Sequence, residues 1–302
     1  MTLAAIETKG LTKRYPGGRG VADLDLTVRR GEIFGFLGPN GAGKTTTMKM
    51  ILDLIRPTSG MIRVLGLDPV AQGADLRTQI GYLPGELVLE GAENVGELLG
   101  FFARLQGHVD PAWVSELSER LELDRTRKVK NLSKGNKQKV GIVQAFMHRP
   151  ALLVLDEPTS GLDPLMQQVF LNLVTEAKAA GQTVFMSSHI LSEVQEVADR
   201  VAIIKDGRLV TEGTVESLQR QAVSQVEIHF GEPVRTDDFT ALTHVAGVRV
   251  EGNTLHCSVD GSVDALIKQA AHYRVDALFC HKPDLEAIFM DEYVKEGAPV
   301  VH

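Results

Sequence analysis

The chain has 302 residues, 43% of them hydrophobic, so it can form a substantial core and is long enough for one large and one small domain. Its formal net charge of −7 argues against nucleic acid as the main partner, because phosphate backbones bind to clustered positive charge. Its apolar runs are shorter than the roughly 18–20 residues that cross a bilayer, and residues 1–10 lack a signal-peptide core, so we expect no membrane span.

The first 60 residues alternate between strand-like and helix-like patterns. Residues 5–11 and 21–28 alternate apolar and polar side chains, which predicts half-buried antiparallel strands. The run "EIFGFLG", 32–38, predicts a buried strand that leads into a turn. Next, "TTTMKMILDLI", 45–55, has the spacing of an amphipathic helix that ends before Pro57.

Further along, a mostly helical stretch at 94–123 separates two groups of predicted strands. "MIRVLG", 61–66, precedes it, while "ALLVLDEP", 151–158, and "TVFMSSH", 183–189, follow it. The segment "RVAIIKDGRLVTEG", 200–213, predicts a hairpin that turns at its Asp-Gly pair. This order predicts an α/β fold with a βα-wound parallel core, an antiparallel flank and a helical insertion.

Beyond about residue 220 the pattern predicts a small α+β domain. The predicted strands are "SQVEIHF", "GVRVEGNTLHCSVD", which turns at Gly252-Asn253, and "RVDALFC"; the predicted helices are "SVDALIKQAAHY" and "PDLEAIFMDEYV". Cys257 and Cys280 fall in these strands and suit a reduced protein without a disulfide framework. We expect one domain over 1–219, with a helical subdomain at about 86–148, and an accessory domain over 220–302.

A phosphate-binding motif lies between the predicted strand at 32–38 and the helix that follows. "GPNGAGKTT" matches G-x-x-x-x-G-K-[ST], and its residues are Gly38, Pro39, Asn40, Gly41, Ala42, Gly43, Lys44, Thr45 and Thr46. Glycines let backbone N–H groups surround phosphate oxygens, and the helix N-terminus adds partial positive charge. Lys44 would reach the β- and γ-phosphates, and the Thr45 hydroxyl would bind Mg²⁺. The alternative is a glycine-rich turn without a ligand, which the flanking strand and helix disfavour.

Two adjacent acids end the predicted strand "LLVLDEP". Asp156 is the type of residue that holds Mg²⁺ in P-loop enzymes, and Glu157 could activate an attacking water. Such acids are often only solvated, but the phosphate-binding motif favours the catalytic interpretation. His189 follows another buried strand, where ligands of open parallel sheets bind, although an isolated histidine there is more often structural.

With these motifs, the sequence resembles the ATP-binding cassette (ABC) ATPases over residues 3–218. The motifs occur in the family's order: an aromatic residue, the P-loop, the signature "LSKGNKQKV", the paired acids, "SGLDP" and a histidine. The resemblance implies a P-loop NTPase (RecA-like) fold, ATP and Mg²⁺ as ligands, and two cassettes paired head to tail.

The same resemblance assigns roles to individual residues. It implies that Tyr15 stacks on adenine and that His189 senses the γ-phosphate. Ser133 and Gly135 of the signature would contact the γ-phosphate bound by a second cassette, and Asp163 of "SGLDP" would communicate across that interface. The alternatives for the signature segment are a solvated basic loop and a nucleic-acid-binding patch, and the acidic balance of the chain disfavours the second.

The sequence departs from the family pattern at two places. In the signature, Lys134 stands where the family has Gly, and Asn136 where it has Gln. In "IGYLPGE", Gly85 takes the place of a Gln that touches Mg²⁺ or water, and Glu86 follows. The sequence leaves open whether Glu86 replaces that contact.

The resemblance implies a transporter subunit that hydrolyses ATP and drives a separate integral membrane permease. The protein would then be cytoplasmic and peripheral on the inner face of the membrane. The tail "PDLEAIFMDEY" and the compact cassette favour an exporter of the drug-resistance (daunorubicin-type, ABC-2) group. An importer cassette and a soluble ABC ATPase with a regulatory role are the alternatives. The single P-loop and the absence of sustained heptads argue against ribosomal and DNA-repair relatives.

Overall fold

The computed structural model describes residues 3–18, 20–221 and 224–281, and the chain divides into two compact units, Met1–Glu212 and Gly213–His302. The helix predicted from "PDLEAIFMDEYV", 283–294, lies outside the described residues. Each unit has its own buried apolar core.

The first unit combines a parallel sheet, an antiparallel sheet and several helices. Its strands are β1 Ala4–Arg14, β2 Gly20–Arg29, β3 Ile33–Leu37, β4 Ser59–Val64, β5 Ile80–Leu83, β6 Leu152–Asp156, β7 Thr183–Ser188, β8 Arg200–Lys205 and β9 Arg208–Thr214, the last of which extends two residues past the unit boundary. Its helices are α1 Lys44–Ile51, α2 Gly73–Arg77, α3 Val95–Gln106, α4 Pro111–Arg120, α5 Lys134–Phe146, α6 Pro164–Ala179 and α7 Leu191–Val197. A short 3₁₀ turn covers Val129–Asn131.

Six strands form the central sheet in the order β5-β6-β7-β3-β8-β9, and the pairs from β5 to β8 are parallel. All residues of β3, β6 and β7 are buried, as expected for parallel strands covered on both faces. The hairpin between β8 and β9 turns at Asp206 and Gly207, which both have positive φ, 47° and 77°. Because parallel strands end at one edge, the segments after β3, β6 and β7 lie together there.

The antiparallel flank is a three-stranded sheet in the order β2-β1-β4. Its inward side chains share one core cluster with Phe34, Phe36 and Phe185 of the parallel sheet. The ring centroid of Phe185 is 6.0 Å from that of Phe34 and 5.5 Å from that of Phe36. Between β5 and β6 the chain forms α3 to α5, the predicted helical insertion. The fold prediction for this part of the chain is therefore confirmed.

The second unit has the topology β10-α9-β11-β12-α10-β13 after helix α8 Val215–Gln221. Its elements are β10 Ser224–Phe230, α9 Asp237–Thr240, β11 Val245–Glu251, β12 Thr254–Val259, α10 Asp264–Ala270 and β13 Val275–His281. The sheet order β11-β12-β10-β13, with antiparallel pairs, is that of a ferredoxin-like fold. Phe239 of α9 and Leu266 of α10 pack on one face of this sheet. Cys257 is a buried free thiol and Cys280 an exposed one.

One predicted boundary was wrong. The spacing of apolar residues suggested that α1 continues to Ile55, but the helix ends at Ile51. Asp53 has φ of 54°, and the N–H groups of Leu54 and Ile55 both donate to the carbonyl of Lys49. Leu52 and Ile55 still pack against the core from this turn, whereas Leu54 is exposed. The strand β5 and the helices α2 and α6 to α9 had no counterpart in the predicted elements.

Candidate functional site

The glycine-rich loop 38–46 lies between β3 and α1, at the carboxyl edge of the parallel sheet. Gly41 and Gly43 have φ of 84° and 112°, in the left-handed region that favours glycine. At Gly38 a Cβ atom would lie 2.3 Å from the carbonyl oxygen of Ile204, so no larger residue fits there. At these three positions the backbone of the loop therefore requires glycine.

Lys44 is the first residue of α1 and is only 5% exposed. Its Nζ donates to the carbonyl oxygens of Gly38 at 2.6 Å and Pro39 at 3.2 Å. The same atom lies 3.3 Å from Oε1 of Glu157. The ammonium group therefore sits inside the loop with its charge matched by the second of the paired acids.

Asp156, the last residue of β6, is fully buried at 0% exposure. The Thr45 hydroxyl donates to Asp156 Oδ2 at 2.7 Å, and the Ser187 hydroxyl donates to Oδ1 at 2.6 Å. A carboxylate and a hydroxyl are oxygen donors of the kind that Mg²⁺ prefers. Among the described residues, no group of three or more His, Cys, Asp or Glu side chains is placed to hold a metal ion.

Glu157 joins three parts of this edge. Its Oε1 faces Lys44, and its Oε2 accepts a hydrogen bond from Nδ1 of His189, the residue after β7. Its backbone has φ of 48°, an uncommon conformation for a residue with a side chain. Lys44, Glu157 and His189 thus form a continuous chain of polar contacts, which the sequence predicted only as three separate candidates.

A cleft of about 330 Å³ opens onto this cluster, within the size range of small-molecule sites. Its lining residues are Tyr15, Gly20, Pro39, Asn40, Gly41, Gly43, Lys44, Thr45, Thr46 and Glu157. Tyr15 follows β1, is 40% exposed, and has the ammonium of Lys13 5.4 Å from its ring centroid. An accessible aromatic ring therefore shares a cleft with the glycine-rich loop.

The signature residues lie elsewhere, at the N-terminus of α5. Ser133 caps this helix, and its hydroxyl accepts from the backbone N–H of Asn136 at 3.3 Å. A Cβ atom on Gly135 would lie 2.5 Å from the carbonyl oxygen of Gly161, so the helix start packs against "SGLDP". Neither Ser133 nor Gly135 lines the cleft described above.

Asp163 caps α6: its Oδ1 accepts from the backbone N–H of Met166 at 3.0 Å. The Asp163 carboxylate is also exposed, so it faces solvent while it accepts a hydrogen bond from the helix N-terminus. Like Ser133, it does not line the cleft of Lys44 and Glu157.

The departure at 85–86 has a structural consequence. A Cβ atom on Gly85 would lie 3.2 Å from Asp156 Oδ2, so the Gly85 backbone itself approaches the buried acid. Glu86 is exposed and lines a separate groove with Lys134 and Lys137. The structure thus brings Gly85, and not Glu86, next to Asp156.

Burial also affects two titratable groups near the paired acids. It raises the pKa of Tyr82 to about 12, and the charge of Asp156 acts in the same direction. Burial raises the pKa of Glu193 above its ordinary value, against the opposing effect of a hydrogen bond from Thr159. Neither group was selected from the sequence, nor was Ser187, whose position opposite Asp156 depends on the register of β6 and β7.

The parallel sheet with its glycine-rich loop and paired acids defines a P-loop nucleotide-binding protein. Comparisons with known proteins are more specific: a family profile described as ABC transporter matches residues 21–160. Nod factor export ATP-binding protein I of Burkholderia pseudomallei (strain 1710b) is 34% identical over 96% of this chain and 97% of the relative. Daunorubicin resistance ATP-binding protein DrrA3 of Streptomyces coeruleorubidus is 32% identical over 99% of this chain and 100% of the relative.

A solved structure of the ATP-binding subunit of an ABC transporter matches with a TM-score of 0.65 and 34% identity, over 72% of this chain and 92% of that chain. The chain belongs to the family of ABC transporter ATP-binding subunits. Proteins of this family bind ATP, are ATPases in general, dimerise and work with a membrane permease. None of the helices within 3–18, 20–221 and 224–281 has the length and apolar character of a membrane span. The predicted family is confirmed.

Proposed function

We propose that this chain hydrolyses ATP with Mg²⁺ in the cleft at the carboxyl edge of the parallel sheet. The observation that supports this most is the convergence of Lys44 and His189 on Glu157, beside a glycine-rich loop. These groups come from three different elements and meet within hydrogen-bond or ion-pair distance. In a P-loop protein this combination serves phosphoryl transfer to water.

In this mechanism each residue has one task. The loop amides and Lys44 bind the β- and γ-phosphates, and Tyr15 stacks on the base. Thr45 and Asp156 would hold Mg²⁺, which would neutralise phosphate charge. Glu157 takes a proton from water while the water oxygen bonds to the γ-phosphorus. The bond between the γ-phosphorus and the bridging oxygen of the β-phosphate breaks at the same time. His189 donates from Nδ1 to Glu157 and so orients the carboxylate.

The test compares Glu157→Gln with Glu122→Gln. Glu122 is a matched control, because it also has positive φ, 50°, but is exposed and lies outside the cleft. We expect Glu157→Gln to bind ATP as the wild type does and to hydrolyse it about 10²–10⁴-fold more slowly. Undiminished turnover would remove Glu157 from the mechanism, and an equal loss in Glu122→Gln would indicate general destabilisation.

We further propose that a second cassette completes the site. Ser133 and Gly135 lie at an exposed helix N-terminus, a position that suits phosphate, yet they do not line their own chain's cleft. Asp163 is exposed and lies two residues after Gly161, against which Gly135 packs, so it would face the same partner. Activity per chain should rise with protein concentration, and Ser133→Arg should reduce it. Normal activity of Ser133→Arg at all concentrations would contradict this pairing.

The transport direction that fits best is export, through a separate integral membrane permease that would hold the chain at the cytoplasmic face. Relatives that span nearly the whole chain are named for Nod factor export and for daunorubicin resistance. We assign residues 1–219 to the nucleotide-binding domain, with its helical subdomain at about 86–148, and 220–302 to an accessory domain. A test is efflux from vesicles that contain this chain with a candidate permease: export should need ATP and fail with Glu157→Gln. ATP-dependent uptake in place of efflux would contradict the assignment of this chain to an exporter.

A further inference from the structure

The loop that follows Asp156 is held by side chains from two neighbouring elements. Gln138 of α5 is only 3% exposed, and its Nε2 donates to the carbonyl oxygens of Pro158 at 2.9 Å and of Glu157 at 3.3 Å. Both partners are acceptors, so the amide must present its NH₂ group here. On the other side, the Glu157 backbone N–H donates to the Ser187 hydroxyl at 3.0 Å.

These contacts lie on both sides of Glu157, whose backbone conformation is costly for a residue with a side chain. Glu157 has φ of 48°, and non-glycine residues persist in such a region when their surroundings fix them. Here Ser187 fixes the peptide group before Glu157, and Gln138 fixes the peptide group after it. The direction of the Glu157 carboxylate toward Lys44 and His189 depends on this backbone.

We propose that Gln138 is a positioning residue for Glu157, whose side-chain amide fixes the carboxylate relative to helix α5. This role rests on the proposed function, in which Glu157 activates water. It extends that function, because Gln138 lies on α5, the helix that Ser133 caps. Gln138 thereby links the helix that carries the signature to the backbone of Glu157 within one chain.

A second contact from the same helix acts on the same loop. Lys134 Nζ donates to the Ser160 hydroxyl at 3.0 Å, and a Cβ on Gly135 would meet the Gly161 carbonyl at 2.5 Å. The first of these contacts is exposed, whereas that of Gln138 with Pro158 is buried. Of these two contacts from α5, only that of Gln138 holds the loop without competition from water.

The experiment uses the full-length protein with two variants, Gln138→Leu and the isosteric Gln138→Glu, which lacks the NH₂ donors. Gln182→Leu is the matched control, because Gln182 Nε2 also donates to a backbone carbonyl, that of Pro150 at 2.6 Å, away from Glu157. Thermal unfolding identifies variants that fold. ATP affinity, kcat and KM are then measured separately.

We expect both Gln138 variants to bind ATP within about twofold of the wild type and to lose on the order of 10–10²-fold in kcat, as for a misplaced catalytic group. In the Glu157→Gln background the same changes should lower the residual rate no further, because the group being positioned is gone. Gln182→Leu should keep the wild-type kcat.

Folded Gln138 variants with kcat within twofold of the wild type would overturn the positioning role. A raised KM with unchanged kcat would also overturn it, since Gln138 would then affect binding. These results differ from failure of the proposed function, in which Glu157→Gln itself would hydrolyse ATP at the wild-type rate.

Discussion

Two sheet surfaces of this chain carry clusters of charged and titratable side chains, and they differ in burial. At the carboxyl edge of the parallel sheet, Lys44 and Asp156 are 5% and 0% exposed. On the open face of the four-stranded sheet, the side chains of Glu227, His229 and His256 are 35%, 42% and 43% exposed. There, His229 Nε2 lies 2.6 Å from Glu227 Oε1, and His256 Nδ1 lies 3.8 Å from Oε2.

The difference shows why titratable residues alone do not mark a site. The exposed pairs are solvated, and such pairs contribute about 0–1 kcal/mol. At the buried edge the charges of Lys44 and Asp156 have been taken out of water and depend on partners from other elements, so removal of a partner leaves them uncompensated. Thr45 and Asp156, 111 positions apart, illustrate this dependence.

The largest expected effect is that of Lys44→Ala. Without the ammonium, phosphate binding loses its cation and Glu157 loses its ion-pair partner. Turnover should fall by at least about 10²-fold, as for removal of an oxyanion-stabilising donor, and labelled-ATP titration with a phosphate-release assay measures both effects. Lys268→Ala, which removes an exposed pair with Asp264 in the second unit, is the control. An equal loss of turnover in both variants would contradict the proposed difference between the buried and the exposed charges.

A smaller effect is expected for Ser187→Ala, which removes the hydroxyl that donates to Asp156 Oδ1. Partners of metal ligands typically account for about 10–100-fold in metal affinity. The Mg²⁺ concentration for half-maximal hydrolysis should rise accordingly, as measured by Mg²⁺ titration. Ser188→Ala, at the neighbouring hydroxyl, should leave this Mg²⁺ concentration unchanged. An unchanged Mg²⁺ concentration in Ser187→Ala would contradict the role of Asp156 as a metal ligand.

The pH dependence of stability should change in Glu193→Gln. Glu193 Oε2 accepts from Thr159 at 2.7 Å, while Oε1 has no hydrogen-bond partner within the described chain. Because burial raises its pKa in the folded state, the folded protein holds this proton more strongly than the unfolded chain does. Its contribution to stability is complete below the unfolded pKa and is lost as pH rises through the folded pKa.

Glutamine does not titrate, so the melting temperature of Glu193→Gln relative to the wild type should increase from pH 5 to pH 8. Thermal unfolding at both pH values measures this difference. Glu196→Gln, an exposed position on the same helix, is the control. A constant difference between Glu193→Gln and the wild type would mean that the buried carboxyl stays charged at both pH values.

The smallest effect is expected at the open sheet face. His256→Ala removes a half-exposed partner of Glu227 and should change the free energy of unfolding by no more than about 0.5 kcal/mol. Phe239→Ala, in the core of the same unit, should cost about 3–5 kcal/mol. Urea denaturation compares the two. A large loss of unfolding free energy in His256→Ala would show that this exposed cluster contributes more to stability than its exposure suggests.

The parts of the site that are continuous in sequence could be predicted. The loop 38–46, Asp156 and Glu157 combine a recognisable motif with a buried strand, and the strand ends of a parallel sheet must meet. Tyr15 was placed in the cleft region by resemblance alone, and the structure brings it to the same cleft as Lys44.

The rest depended on contacts through space that leave no local pattern. Ser187 lies opposite Asp156 because of strand register, and Gln138 reaches Glu157 because of how α5 packs. The end of α1 was misplaced because the apolar spacing continues through the turn at Asp53, where only the backbone angle changes. The contact of Gly85 with Asp156 likewise follows from backbone approach and not from side-chain chemistry.

The most direct measurement is a crystal structure of Glu157→Gln with ATP and Mg²⁺. We predict that the γ-phosphate lies within hydrogen-bond distance of Lys44 Nζ, that Mg²⁺ contacts the Thr45 hydroxyl, and that the adenine lies against Tyr15. A nucleotide bound outside the cleft of Tyr15, Lys44 and Glu157 would contradict the assignment of this edge as the ATPase site.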